Sequence, residues 1–231
     1  MTRADLTDWQ PCPVPQRAPL QGRYVRLEAL QLAAHGEDLW WALQGPEADP
    51  QLWDYLPYGP FAERPAFDAW MAANAASTDP LFFAVVELTS RRAVGLLSFL
   101  RMAPKDGCIE IGHIAFGRVM QRSPASTEAV YLLAELAMET LGYRRLEWKC
   151  NALNARSMRA AERLGFVHEG TFRQHMVVKG RNRDSAWFAL LDHDWPACRA
   201  AFTRWLAPDN FDAQGRQRRT LEQLREDTAR A

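Results

Sequence analysis

The sequence predicts an α+β domain, a mixed central sheet flanked by helices. Three stretches carry that expectation. Residues 108–116 alternate as a strand, 127–141 carry a helical stripe that stops at Gly142, and 151–166 join a strand end, a capped helix and a glycine-terminated return. Strands and helices interleave in this way when helices pack on a shared sheet.

Along the chain, residues 1–20 are punctuated by Pro11, Pro13, Pro15 and Pro19 and are expected to form an irregular arm. Arg23 to Leu27 alternates as a first strand. Helical segments follow at about 33–43 and 64–76, joined by the aromatic loop Leu52–Phe61. Leu81 to Leu88 and Ala93 to Leu100 form adjacent strands around the turn Thr89–Arg92. In Cys108 to Phe116, alternation puts Ile109, Ile111 and His113 on one face, with Glu110 and Gly112 on the other. Val130, Leu133, Ala134, Ala137, Met138 and Leu141 make the stripe of the longest helix. Arg145 to Cys150 is a strand, 154–164 a helix, and Phe166 to Met176 and Trp187 to Leu191 are strands. A helix over 196–205 and an amphipathic helix over 218–229 close the chain, packing on the domain or on a second subunit of a homodimer. The order is β-α-α-β-β-β-α-β-α-β-β. Residues 1–20 form the arm, 21–196 the main domain and 197–231 a C-terminal helical extension.

Composition narrows the function classes. An apolar content of 48% supports a sizeable core. Lys and Arg total 28, equal to Asp plus Glu, so no global field favours a nucleic-acid partner. The run Arg216–Arg219 is followed closely by Glu222, Glu226 and Asp227, as on a solvated helix face. Cys12, Cys108, Cys150 and Cys198 are far apart and form no metal-binding or disulfide spacing. Asp5 and Asp8 occupy the place where a signal peptide needs an apolar run, and no stretch nears the roughly 20 apolar residues of a membrane span. A cytoplasmic protein with no membrane partner and no resident metal is expected.

The motif with most content is Asn154-x-x-Ser157-x6-Leu164-Gly165-Phe166, followed by Glu169-Gly170. Asn154 or Ser157 can accept from the orphan N–H groups of the helix's first turn, and Gly165 sits where a left-handed residue ends a helix. The whole phrase resembles the late signature of the GNAT acyltransferases, especially the branch with the RimJ/RimL-type protein N-terminal acetyltransferases. The resemblance covers roughly 20–196, and its specific part is 108–195. It implies a GNAT-like sheet with splayed central strands, acetyl-CoA as cosubstrate and acetyl transfer to a primary amine. A protein N-terminus is the first acceptor class it suggests. A small-molecule amine, such as an amino acid or antibiotic, is the alternative, and outside enzymes a non-catalytic acyl-CoA-binding protein.

The resemblance also distributes roles over residues. GNAT proteins hold the diphosphate on a Q/R-x-x-G-x-G/A loop before the long helix, where backbone N–H groups and the helix dipole favour an anion. Here that place reads Gln121-Arg122-Ser123-Pro124-Ala125-Ser126 with Thr127 following, so Pro124 and Ser126 replace the glycines. Proline removes a donor and fixes φ, but it suits the first turn of a helix. Ser126 and Thr127 are expected to add hydroxyl donors and Arg122 a cation. Ile114, Ala115 and Phe116 would bond the pantetheine amides, with Asn154 on the same arm. Ser157 matches the position proposed to donate toward the departing sulfur. For a general base the matching place is Met176, with His175 beside it, and Glu110 and His113 lie one strand away. Trp53, Tyr55 and Tyr58 occupy the loop that shapes the acceptor pocket in this branch. Arg173, Lys179 and Arg181–Asp184 read as a charged hairpin between the last strands.

Overall fold

Eight strands of the computed structural model, which describes residues 5–230, share one sheet. They are β1 (Leu20–Gln21), β2 (Val25–Ala29), β3 (Leu81–Glu87), β4 (Ala93–Ala103), β5 (Cys108–Phe116), β6 (Arg145–Asn151), β7 (Val167–Val178) and β8 (Arg181–Leu191). The spatial order is β1-β2-β3-β4-β5-β6-β8-β7. Every neighbouring pair is antiparallel except β5 and β6. A parallel pair needs a crossover, here supplied by α3 (Pro124–Glu135) and the π-helical turn Leu136–Thr140.

Helices α1 (Leu32–Gln44) and α2 (Arg64–Ala76) cover β2 to β5 on one face. On the opposite face lie α3, α4 (Ala155–Arg163), α5 (Trp195–Trp205) and α6 (Leu221–Arg230). The alternation follows from the sequence: Phe83, Phe99, Ile109, Ile111 and Leu146 point to the larger core, and Phe82, Ala84 and Leu96 to the smaller one. Over β6, β8 and β7 no helix among the described residues covers the α1/α2 face of the sheet.

The strand expected over Arg23 to Leu27 is β2, which begins at Val25, two residues later than the alternation suggests. The cause is Glu128 of α3, whose buried carboxylate accepts the backbone N–H groups of Arg23 (2.8 Å), Tyr24 (2.6 Å) and Val25 (2.8 Å). These charge-assisted bonds bind the β1–β2 turn to α3, and a Cβ on Gly22 would stand 2.4 Å from the Glu128 carboxyl carbon. The long helix begins three residues earlier than expected, with Pro124 in its first turn. The charged stretch Arg181–Asp184 lies inside β8, not in a loop. The hairpin turns at Lys179 (φ 49°) and Gly180 (φ 72°), consecutive positive φ angles that match the twist of the flanking strands.

Several register shifts interrupt the two-residue period, and two of them bear on the site. Ser98 pairs with Gly112 and Leu96 with Ala115, so β5 carries one residue more than β4, and His113 takes φ 51°. His113 therefore leaves the face of Ile109 and Ile111, stacks on Tyr58 and packs against the tilted Phe82 ring on the other side. In β7, Phe172 pairs with Ser185 and Met176 with Arg183, with Gln174 at φ 51°.

The arm and the tail both dock on this frame. Trp9 donates its indole N–H to the Lys105 carbonyl at 2.7 Å, and Cys12 is buried beside Gly142. At the other end Arg225 donates to the carbonyls of Arg163 and Glu162, closing the C-terminus of α4, while Arg163 covers the Trp205 ring at 4.7 Å. No helix among the described residues is long and apolar enough to cross a membrane.

Candidate active site

The parallel pair β5–β6 stays together for three residue pairs, Cys108–Arg145, Ile109–Leu146 and Glu110–Glu147. Beyond Glu110 the strands diverge, β5 continuing on β4 and β6 on β8. The facing backbones of Ile111–Phe116 and Trp148–Asn151 thus form a wedge whose groups toward each other are outside the ladder. Ile114, Ala115 and Phe116 lie on one side of it, and Asn154 and Ser157 follow the other. An extended chain with amide groups fits such a wedge as an inserted strand.

The wedge opens toward the start of α3. There the N–H groups of Ala125 and Ser126 have no intrahelical acceptor, and the positive end of the helix dipole adds to them. Arg122 takes the left-handed conformation (φ 60°), so the sharp turn a glycine would make in the family pattern is made here two residues before Pro124. The side chains depart from expectation. Ser123 donates its hydroxyl to the Met120 carbonyl (2.7 Å), and Ser126 donates to the Ser123 carbonyl (2.9 Å). Thr127 is buried and its hydroxyl accepts from Arg163 at 3.0 Å. The Ser126 hydroxyl proton is therefore used within the helix turn and the Thr127 hydroxyl is buried against Arg163, leaving backbone donors and the Arg122 cation at the exposed end of the helix. Gln121 is held by Asp49 and the Phe116 carbonyl, each at 3.3 Å, and Asp49 also meets Arg156 of α4 at 3.1 Å.

At the β6–α4 junction the capping question resolves between the two candidates. Asn154 is the cap: its Oδ1 accepts the Ser157 N–H at 3.1 Å. Ser157 Oγ instead accepts the indole N–H of Trp148 at 2.9 Å, and the hydroxyl lies beside the Cys150 thiol. The Trp148 N–H takes one lone pair of the Ser157 oxygen and leaves the O–H proton free to donate, with the Cys150 sulfur beside it.

On the α1/α2 face the loop between those helices meets β5. Trp53 is 3% exposed, donates to the Leu43 carbonyl and packs edge-on to Tyr58, Phe61 and Trp70. It supports the loop from beneath and does not line an open slot. Tyr55 donates its hydroxyl to the Leu153 carbonyl at 3.1 Å, bridging to the β6–α4 turn. Tyr58 reaches β5, with its hydroxyl 2.9 Å from His113 Nδ1 and the two rings stacked. Burial holds the Tyr58 phenol far above its ordinary range. Burial, with Arg101 and Arg183 nearby, lowers His113 to about 4, so the imidazole is neutral near pH 7.

His175 sits apart on the β7 bulge. Its Nδ1 is 2.9 Å from Ser185 Oγ, and it is flanked by Phe172 and Trp187. Between these groups runs a chain of alternating charges. Arg101 binds Glu110 (2.8 Å), Lys149 binds Glu110 (2.9 Å) and Glu147 (2.7 Å), and Arg145 binds Glu147 (2.7 Å) and Glu169. Lys149 also lies 3.8 Å over the Trp187 ring. Despite its burial, Glu147 is lowered to about 2 by its bonds to Lys149, Arg145 and Trp187. Glu110, buried and shared by two cations, is committed to this network.

A model of the acetyltransferase (GNAT) domain matches residues 25–167. The chain belongs to the GNAT acetyltransferase family. It is similar to a GCN5-related N-acetyltransferase from Brucella melitensis, with 47% identity over 96% of this chain and 100% of that one, at a TM-score of 0.92. A probable GNAT acetyltransferase from Chromobacterium violaceum is 40% identical over 85% of this chain and 97% of that one, with a TM-score of 0.77. An uncharacterized N-acetyltransferase, p20, of Bacillus licheniformis is 26% identical, covering 64% of this chain and 84% of its own. With the ribosomal L7/L12 α-N-protein acetyltransferase RimL, at 17% identity over 75% of this chain and 94% of that one and a TM-score of 0.63, the likeness is one of fold.

The protein is thus an acyltransferase of a family that generally uses acetyl-CoA, and its substrates include an amine acceptor. Within the GNAT frame the long-range partners escaped sequence reasoning. Tyr58 and His113 are 55 positions apart, and only the bulge turns His113 toward the loop. The alternation of charge along 145, 147 and 149, all on one strand face, was the available signal for the ion-pair chain.

Proposed function

We propose that this enzyme moves the acetyl group of acetyl-CoA to a primary amine, with a protein N-terminal α-amine as the first acceptor class and small-molecule amines, such as amino acids or antibiotics, as the second. The observation that carries the reading is the wedge between β5 and β6, which leads from the start of α3 past Ser157 toward Tyr58 and His113. We assign the diphosphate to the N–H groups of Ala125 and Ser126 with Arg122, and the pantetheine arm to Ile114, Ala115, Phe116 and Asn154. The catalytic unit is residues 21–196, braced by the arm and by the tail after residue 197.

The amine nitrogen attacks the thioester carbon and the carbon–sulfur bond breaks. Ser157 donates a hydrogen bond to the departing sulfur, an interaction strongest as charge develops there. The proton released by the amine passes to Nε2 of His113, in the tautomer whose Nδ1–H faces Tyr58, and on to solvent, while the departing thiolate takes up a proton from solvent, so that the cosubstrate leaves as the thiol. His113 is preferred to His175 as acceptor because it stands against Tyr58 of the loop assigned to the acceptor, whereas His175 sits apart on the β7 bulge; burial lowers His113 to about 4. An imidazole with so low a pKa is a weak base. That favours an acceptor that needs little help: at pH 7 roughly one α-amine in ten is already neutral, against roughly one lysine ε-amine in 2,500.

Purified protein with acetyl-CoA is to be offered three sets of acceptors, following thiol release and product mass. The sets are peptides with a free N-terminus, N-blocked peptides containing lysine, and small-molecule amines. Acetylation of free N-termini is expected. Turnover confined to blocked lysine peptides would overturn the acceptor assignment, and thiol release with none of the sets would overturn the N-acetyltransferase reading.

A further inference from the structure

The uncovered sheet face between the α1–α2 loop and the β7–β8 hairpin carries a half-buried guanidinium, that of Arg183, with no carboxylate in ion-pair contact among the described residues. Lys179 near the hairpin tip donates to the Trp53 carbonyl at 2.7 Å, so hairpin and loop meet and bound this face. Across its floor, Arg101, Lys149 and Arg145 are matched one for one by Glu110, Glu147 and Glu169. Arg183 is on the same face, as alternation along β8 groups it with Ser185 and Trp187 while Asn182 and Asp184 turn away. It is half-buried, and its polar partner is the Ser185 hydroxyl, which receives the Arg183 Nε–H at 3.2 Å. The same hydroxyl meets His175. Arg183 forms no ion pair among the described residues, and the remaining guanidinium donors are unassigned. It is close enough to His113 and Glu110 to act on their electrostatics, which places it near the groups proposed to receive the amine.

A half-buried guanidinium without a carboxylate is unfavourable unless an anion completes it, and its planar fork fits a carboxylate through two parallel bonds. We propose that Arg183 binds a carboxylate of the acceptor, so that the site selects amines carrying an anionic group close to the reacting nitrogen. This rests on the amine acetyltransferase reading above. Two sources provide that chemistry: the α-carboxylate of a free amino acid, or an acidic side chain near the start of a polypeptide. In either case the amine is directed to Tyr58 and His113 while the carboxylate meets β8.

Matched acceptor pairs test the idea. Ser-Glu-Ala-Ala-amide against Ser-Gln-Ala-Ala-amide reports the side-chain source, and serine against serinamide reports the α-carboxylate. In at least one pair the anionic member is expected to show kcat/KM about 10- to 100-fold higher, the range of a charge-assisted hydrogen bond. Arg183→Met should abolish that preference and Arg183→Lys retain part of it, with acetyl-CoA affinity unchanged by calorimetry. Arg183→Gln serves as a second neutral variant if the methionine protein melts early. Equal kcat/KM within both pairs, or a preference that survives in the folded neutral variants, overturns the assignment. So does a loss of acetyl-CoA affinity in those variants, which would move Arg183 to the cosubstrate. If no member of either pair is acetylated while acetyl-CoA still binds, the acceptor reading beneath the inference fails instead.

Discussion

Replacing Ser157 by alanine separates the chemistry of that hydroxyl from its place in the fold. The backbone N–H of residue 157 remains, so the cap made by Asn154 Oδ1 at 3.1 Å survives. What is lost inside the protein is the acceptor of the Trp148 indole, 2.9 Å away on a residue that is 6% exposed. A buried N–H left without a partner costs about 1–3 kcal/mol. In a chain of this length each kcal/mol lowers the melting temperature by roughly 2–4 °C. If the hydroxyl also bonds to the departing sulfur, the single-turnover rate at saturating acetyl-CoA falls by a factor on the order of 10²–10³. Acetyl-CoA affinity should stay nearly constant, as for an interaction made mainly in the transition state. Asn154→Ala is the complement, losing about 1 kcal/mol of helix capping while keeping the hydroxyl. Melting, calorimetry and rapid-quench kinetics on both variants measure the three quantities separately. A Ser157→Ala protein that melts early yet turns over at the wild-type rate refutes the catalytic role and leaves the Trp148 bond as the whole function of the side chain.

Saturating acetyl-CoA at about 100 times its Kd should add about 2.7 kcal/mol and raise the melting temperature by roughly 5–10 °C, and no shift would count against cosubstrate binding. Arg122→Gly removes the cation and also relieves a left-handed non-glycine residue, worth roughly 1–2 kcal/mol. It should melt no lower than wild type while binding CoA more weakly and a pantetheine fragment equally well; equal weakening of both ligands would remove Arg122 from the phosphate site. Between pH 6.5 and 4 the His113 imidazole takes up its proton in the unfolded chain but not in the native one, so stability is fully present above about 6.5 and falls toward pH 4 by up to about 3 kcal/mol. Urea midpoints of wild type and His113→Gln at pH 7 and 4.5 measure this, and an unchanged slope in the variant contradicts the burial argument; Glu147, lowered to about 2, acts only below pH 4.5. Glu128→Ala orphans three backbone N–H groups and should lower stability by about 3 kcal/mol or more, and Gly22→Ala should approach that loss because its Cβ meets the same carboxylate.

The parts of this protein legible in its sequence are those governed by local rules. The helix over 64–76 and the strand over 108–116 coincide with α2 and β5 to the residue, because Pro65 fixes one start and Gly107, at φ 61°, the other. The Asn154-to-Gly165 unit was readable because a cap and a left-handed stop leave side-chain signatures. The misreadings share a different cause. A bulge inserts one residue and reverses every face beyond it, yet the inserted residue looks like any other in a period-two pattern. Hence alternation groups His113 with Ile109 and Ile111, and the charges of Arg181–Asp184 read as a hairpin that borders the site or solvates a turn, where the structure has a paired strand. Both departures fall at the candidate site: the first brings His113 to Tyr58, and the second extends β8 so that Arg183 overlooks the wedge. A sheet that kept its period through residue 113 would bury that imidazole among Ile109 and Ile111 in the larger core. The break in alternation is therefore what makes the residue available to chemistry, and the same break is what hides it from a reading based on alternation.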